Sequence, residues 1–259
     1  MKSLNFTHPI IFHIPHASRI IPIDVRPSLM LSDSELNHEL TKMTDAYTDD
    51  LFAPDFNIPR VVFPISRLVV DPERFLDDDL EMMAARGMGV IYSRTSDGMP
   101  LRLRPTVEER EKLIDRYYRP HHQALAGCAS TCLRQFGRCL LIDCHSFPSE
   151  PLPYEDDQDS HRPDICIGTD DFHTPKWIEN EIIRIFNRLG FCTKVNRPFS
   201  GSIVPMKFYQ IEPRVMTIMV EINRKLYLEE KPGKKHGGFE ALKNKLGDAI
   251  SRIKVIAVQ

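Results

Sequence analysis

The sequence predicts a single-domain α/β protein built on a mixed, mostly parallel sheet. Two observations predict it. Short apolar runs bounded by turn residues alternate with helical stretches of ten or more residues, and no repeat, linker or low-complexity block interrupts the 259 residues. That length suits one large α/β domain. A composition of 42% hydrophobic and 27% charged residues is ordinary for a globular chain.

Taken in order, "PIIFHIPHAS" reads as a short apolar strand ending at a proline and a histidine. "SDSELNHELTKMTDAYTDDLFAP" carries an N-cap serine and helical spacing of Leu36, Leu40, Met43, Tyr47 and Leu51, with a stop before Pro54. "RVVFPISRLVVD" predicts one or two short strands interrupted by Pro64. A long helical stretch runs from Pro105 to Gly137, with Pro120 a kink or boundary. "RCLLIDCHS" and "DICIGT" are strands, and "TPKWIENEIIRIFNRLG" is an amphipathic helix capped by Gly190. "FCTKVN" and "VMTIMVEIN" add two strands, and "GGFEALKNKLGDAISRIKVIAV" closes the chain as a helix.

A net charge of −2 offers no global attraction to nucleic acid or anionic lipid. The basic run "KPGKKHGG" is too short and glycine-rich for a nucleic-acid patch and reads as a solvated loop. The N-terminus lacks a signal peptide's apolar core, and no window has the roughly 20 apolar residues that span a bilayer. A cytoplasmic protein without nucleic-acid or membrane partners is expected; the oligomeric state stays open. The six cysteines form no CxxC pair, so free, buried, reduced thiols are expected rather than a zinc ribbon or redox motif.

Ligands in open α/β sheets gather beyond the carboxyl ends of strands, and polar residues recur there. His16 follows "IIFHIP", His145 follows "CLLID" and Glu221 follows "MTIMV", while Arg67 and Asp71 border "LVV". Asp45 and Asp49 stand four apart, on one face if the segment is helical. Two histidines and a carboxylate suit zinc as direct ligands with a position left for water, and a further carboxylate can serve as general base. Glu221 fits that part, because an acid inside an apolar strand needs a partner or a job. Singly, each residue has a plainer reading: His16 a turn residue, His145 a strand cap, Asp45 and Asp49 surface acids. Arg67 and Arg74 would then be partners of Asp71 and Asp77. His13, among apolar neighbours, reads as structural, and His121 and His122 show no partner pattern.

In "LLIDCHSFPSE" a thiol, a hydroxyl and an imidazole compete. Strand alternation puts Asp143 on the side of His145 and turns Cys144 and Ser146 away, which argues against a cysteine hydrolase.

Seven segments in order resemble the N-formylglutamate amidohydrolase family: "IPHASRIIP", "TDAYTDDLF", "PISRLVVDPER", "LIDCHSFP", "DICIGT", "VNRPFSGSIVPMKFY" and "MVEINRKLYLEE". The resemblance implies a three-layer αβα, zinc-carboxypeptidase-like (phosphorylase/hydrolase-like) fold and one divalent metal ion, Zn2+. Its implied ligands are His16, His145 and a carboxylate of Asp45 or Asp49. Glu221 would be the general base, and Asp143 would orient His145. Arg67 and Arg74 would take substrate carboxylates, with Asn196, Gly201, Asn223 and Arg224 shaping the pocket around a small N-acyl amino acid such as N-formylglutamate. Three positions depart from the pattern: Tyr47 stands where a histidine is frequent, Ser202 where a second glycine is common, and Glu73 where asparagine is usual. The extra negative charge of Glu73 disfavours a dicarboxylate substrate. A relative acting on another amide or small peptide, or a non-catalytic ligand-binding relative, are the alternatives.

Overall fold

The computed structural model describes residues 6–52 and 58–258; Pro54, the expected helix stop, lies outside them. The chain runs through β1 (Ile10–Ile14), α1 (Asp33–Met43), α2 (Thr48–Leu51), β2 (Arg60–Val62), α3 (Val107–Leu113) and α4 (Arg119–Phe136). It continues with β3 (Cys139–Phe147), β4 (Ile165–Gly168), α5 (Lys176–Arg188), β5 (Thr193–Val195), β6 (Val215–Asn223), a small hairpin of β7 (Leu228–Glu229) and β8 (Lys234–Lys235), and α6 (Phe239–Ala257). Among the described residues the main sheet has the order β2-β1-β3-β6-β4-β5. The first four strands are mutually parallel, β4 is antiparallel to β6, and β5 is parallel to β4.

Alternation along the strands divides the core. Ile10, Phe12, Leu140, Ile142, Ile218 and Val220 face α5 and α6, meeting Ile178, Ile182, Leu246 and Ile250. Ile11, Leu141 and Val215 face the opposite way, against Leu125, Ala129 and Cys132 of α4. The result is the expected three-layer αβα arrangement with a mixed sheet. Each buried aliphatic side chain contributes about 1.5–3 kcal/mol, and a one-residue slip would send a whole strand's apolar set to the wrong side. The apolar residues of β3 thereby commit Asp143 and His145 to the α4 side. Cys144 packs in the α5–α6 layer, as alternation predicts.

Two local expectations need correction, and two take a more definite form. The segment after Ser32 is not one helix: Ser32 and Glu35 form a capping box on α1, but Thr44 is extended and Tyr47 takes φ 64° before α2 begins. Of the one or two strands expected in "RVVFPISRLVVD", Arg60–Val62 forms, while residues 67–69 are a turn. The long helix has the boundary that Pro120 predicts, dividing into α3 and α4 around a π turn, Ile114–Tyr118, just ahead of that proline, whose missing N–H breaks the α-helical ladder. Cys192 is exposed, while Cys128, Cys132, Cys139, Cys144 and Cys166 are buried free thiols. No helix among the described residues is long and apolar enough to cross a membrane.

Candidate metal centre

The register builds the site. Across β1 and β3, His13 lies opposite Asp143, and across β3 and β6, His145 lies opposite Glu221. These four side chains share the α4 face near the carboxyl ends of three parallel strands. His16 follows β1 by two residues, and its carbonyl accepts a 3.0 Å hydrogen bond from the Asp45 N–H. The break between α1 and α2 frees that N–H and turns the Asp45 side chain inward.

His16, Asp45 and His145 are all buried, with donor atoms within 4.8 Å of one another. His16 Nδ1 lies 3.7 Å from Asp45 Oδ2, and His145 Nδ1 lies 3.1 Å from the same oxygen. The far nitrogen of each ring meets a carboxylate. His16 Nε2 is 2.9 Å from Asp71 Oδ1, and His145 Nε2 is 3.0 Å from Asp143 Oδ1. With the far nitrogens facing carboxylates, both Nδ1 atoms are turned towards Asp45, and carboxylates behind ligating histidines are the usual support of metal sites. His16 Nδ1 is buried without a hydrogen-bond partner, an orphan that a divalent cation satisfies. The N2O donor set suits zinc.

Electrostatics agree with that reading. Burial works to raise the Asp45 carboxyl, but hydrogen bonds to His145 and His16 and the charge of Arg224 outweigh it and hold it below its usual range. Burial likewise opposes charge on His145, yet Glu73, Asp143 and Asp45 hold its imidazole well above its ordinary value. The three carboxylates thus create a place for a positive charge, which a metal ion supplies more fully than a proton. Arg224 closes the far side of Asp45: it donates to Oδ1 at 2.9 Å, to the Lys42 carbonyl at 2.6 Å and to Ser146 Oγ at 3.2 Å. Asp71 is fixed by Arg67 at 2.8 Å and by the Tyr92 hydroxyl at 2.6 Å.

A cavity of about 280 Å³ opens over this cluster, lined among others by His16, Asp45, Arg67, Glu73, Arg74, His145, Glu221 and Arg224. Glu221 is 7% exposed, its Oε2 has no hydrogen-bond partner, and burial pushes its carboxyl up to about 8 against the opposing charge of His145.

The structure therefore brings together His16, Asp45, His145, Asp143, Glu221, Arg67, Arg74 and Arg224. It keeps Asp49 apart, exposed on α2 with its carbonyl accepting from Arg60 at 3.2 Å; the helix break is the physical reason. Asn196, Gly201 and Asn223 stand outside the cavity wall. Asn196 is exposed and bonded to Thr169, and Asn223 is wholly buried, donating to the Pro163 carbonyl at 2.9 Å. The Gly201 carbonyl packs where a Cβ on Gly168 would come to 2.2 Å. The sequence places Asp71 at a strand end without a role towards His16, reads His13 as core, and marks Glu73 as a departure without its contacts to the histidines. The Glu73 carboxylate reaches 3.2 Å from His145 Nε2 and 3.7 Å from His16 Nδ1. The signal for Asp71 was its place after "LVV", beside two arginines.

Fold and cluster together define a three-layer α/β protein with a buried histidine–carboxylate centre beyond its strand ends. The chain matches the N-formylglutamate amidohydrolase family over residues 8–228, and it belongs to that family. An N-formylglutamate deformylase of Pseudomonas putida is 26% identical over 227 residues, spanning 86% of this chain and 82% of that protein. The crystal structure of an N-formylglutamate amidohydrolase from Ralstonia eutropha JMP134 superposes with a TM-score of 0.81 at 23% identity, over 97% of this chain and 95% of the other. A gene product of Agrobacterium tumefaciens gives 0.68 at 17% identity, over 96% and 93%. Both structural likenesses bear on the fold.

Proposed function

We propose that the chain is a zinc-type metallo-amidohydrolase that cleaves the amide bond of an N-acyl amino acid, with N-formylglutamate, giving glutamate and formate, as the reference substrate. The observation that carries the reading is the buried, partnerless His16 Nδ1 facing Asp45 and His145, with Glu221 one strand away in register with His145.

His16, Asp45 and His145 would hold the ion. When bound, a divalent ion supplies a Lewis acid that polarises an amide carbonyl and lowers the pKa of water. Asp71 and Asp143 hold the two imidazoles in the tautomer that ligates, and Arg224 holds Asp45 with one oxygen turned inward. Glu221 takes the proton from the attacking water and passes it to the leaving amine nitrogen. Its raised carboxyl suits that exchange, because a catalytic acid or base works best with a pKa near the operating pH. Arg74 is the cation best placed for a substrate carboxylate: its Nε is buried without a hydrogen-bond partner, whereas Arg67 is committed to Asp71 and Tyr92.

The test is metal analysis of the purified chain joined to a hydrolysis screen of N-formyl, N-acetyl and N-succinyl amino acids. Glu221→Gln is expected to lose turnover by about 10²- to 10⁴-fold while keeping its metal. A chain without a transition metal, whose ligand binding survives His16→Ala, would be a binding protein instead.

A further inference from the structure

A line of buried polar side chains leads away from the cluster towards α4, and the reaction as described uses none of its outer members. Asp143 Oδ1 lies 3.0 Å from His145 Nε2 as an ion-pair contact and accepts from His13 Nδ1 at 2.7 Å, while Oδ2 accepts the Ile203 N–H at 3.1 Å. His13 Nε2 in turn lies 2.8 Å from His121 Nε2. His13 and His121 are 1% and 5% exposed, so water cannot easily substitute for either partner, and an unmade hydrogen bond there is costly.

Proton accounting gives the line a direction. An anionic Asp143 only accepts, so His13 Nδ1 carries a hydrogen. When His13 carries its hydrogen on Nδ1 alone, the opposite nitrogen is a bare acceptor. The short nitrogen–nitrogen contact needs one hydrogen, and His121 Nε2 must provide it. Burial pushes His121 down to about 2, with the neighbouring imidazoles acting in the same direction; this fits a neutral ring that donates from one nitrogen. The backbone delivers His121 deliberately. It is the third residue of α4, directly after the π turn Ile114–Tyr118, and one residue fewer there would rotate it by roughly 100° away from the sheet. The ring of Phe63 packs edge-on against it with centroids 5.0 Å apart.

We propose that His121 and His13 are positioning residues for the metal centre: His121 Nε2–H fixes the His13 tautomer, His13 pins Asp143, and Asp143 holds His145 with Nδ1 bare for the ion. This rests on the metal reading above. It assigns work to two histidines, one on β1 and one on α4, that touch neither the cavity nor the ion.

The experiment uses the full chain and zinc as the probe. Zinc affinity is measured by competition with a chromophoric chelator for the native chain, His121→Leu and His121→Gln. His121→Leu is expected to weaken zinc about 10-fold, the low end of the effect of outer partners. His121→Gln, whose amide nitrogen can present a donor at the same place, recovers most of the affinity. A folded His121→Leu that binds zinc as tightly as the native chain overturns the proposal. Nitrogen-15 spectra of labelled histidines give a reading independent of metal, with His13 expected as the Nδ1–H tautomer and His121 as Nε2–H. A neutral His13 protonated on Nε2, or a doubly protonated ring, overturns it. If the native chain binds no zinc, the proposed function fails, while the tautomers still decide the relay.

Discussion

Glu221 shows how much one buried carboxyl can reveal. Its carboxyl is pushed up to about 8 by burial, against roughly 4.3 in an unfolded chain. Between those values the folded protein keeps a proton that the unfolded chain has released, so stability falls as pH rises through that window. In chelator-stripped protein, the native chain should lose thermal stability relative to Glu221→Gln between pH 5 and pH 8; parallel melting curves would show that Glu221 does not carry this proton. Glu73 makes a second residue-scale case. Among the described residues, the ion-pair contacts of its carboxylate are with His13, His16 and His145. It therefore adds negative charge to the cavity that, among the described residues, no arginine meets in an ion pair. Glu73→Asn should raise kcat/KM for a dicarboxylate N-acyl substrate relative to a monocarboxylate one by about tenfold, equivalent to about 1.4 kcal/mol, and an unchanged ratio would remove Glu73 from specificity. Glu221 was legible in the sequence because an acid in an apolar run is out of place. Glu73 was legible only as an oddity, since nothing local says that its side chain points at two histidines.

At the scale of elements, the ends of helices decide more than their interiors. The capping box of Ser32 and Glu35 sets the start of α1, and the far end of α1 delivers Asp45. Ser32→Ala should cost about 1 kcal/mol and lower the thermal midpoint by about 2–4 °C; a variant melting with the native chain would show the cap to be dispensable. β3 and β6 were readable at sight, because nine residues of each are buried and their apolar runs are long. The break between α1 and α2 was not. The 3.6-residue spacing from Leu36 to Leu51 continues across it, and the left-handed Tyr47 is an unfavourable choice for a non-glycine residue. Tertiary contacts offset that cost: the Tyr47 hydroxyl reaches the Gly233 carbonyl at 3.3 Å, and its ring packs on Phe239. The π turn before Pro120 escaped for a related reason, since a proline announces an interruption without saying what form it takes.

For the molecule as a whole, the proposed centre of residues 16, 45 and 145 would tie α1, β1 and β3 to one ion. Metal binding should therefore appear as global stability, worth about 2.7 kcal/mol when free zinc is one hundred times its dissociation constant. Thermal melts with and without zinc should separate for the native chain and coincide for His16→Ala. A shift that persists in His16→Ala would place the ion elsewhere.

Strand–helix alternation, the apolar runs and the polar residues at their ends were enough for the sequence by itself to determine the α/β class and to single out His16, His145 and Glu221. Each of these rests on a local signal: burial periodicity, or a polar residue where a strand stops. Only the tertiary structure set Asp45 rather than Asp49 beside His16 and His145, paired Asp71 with His16, and drew His13 and His121 into line behind Asp143. Those choices depend on strand register, on where a helix breaks, and on one backbone hydrogen bond between Asp45 and His16. All three are set by contacts between residues far apart in the chain, which no local spacing encodes.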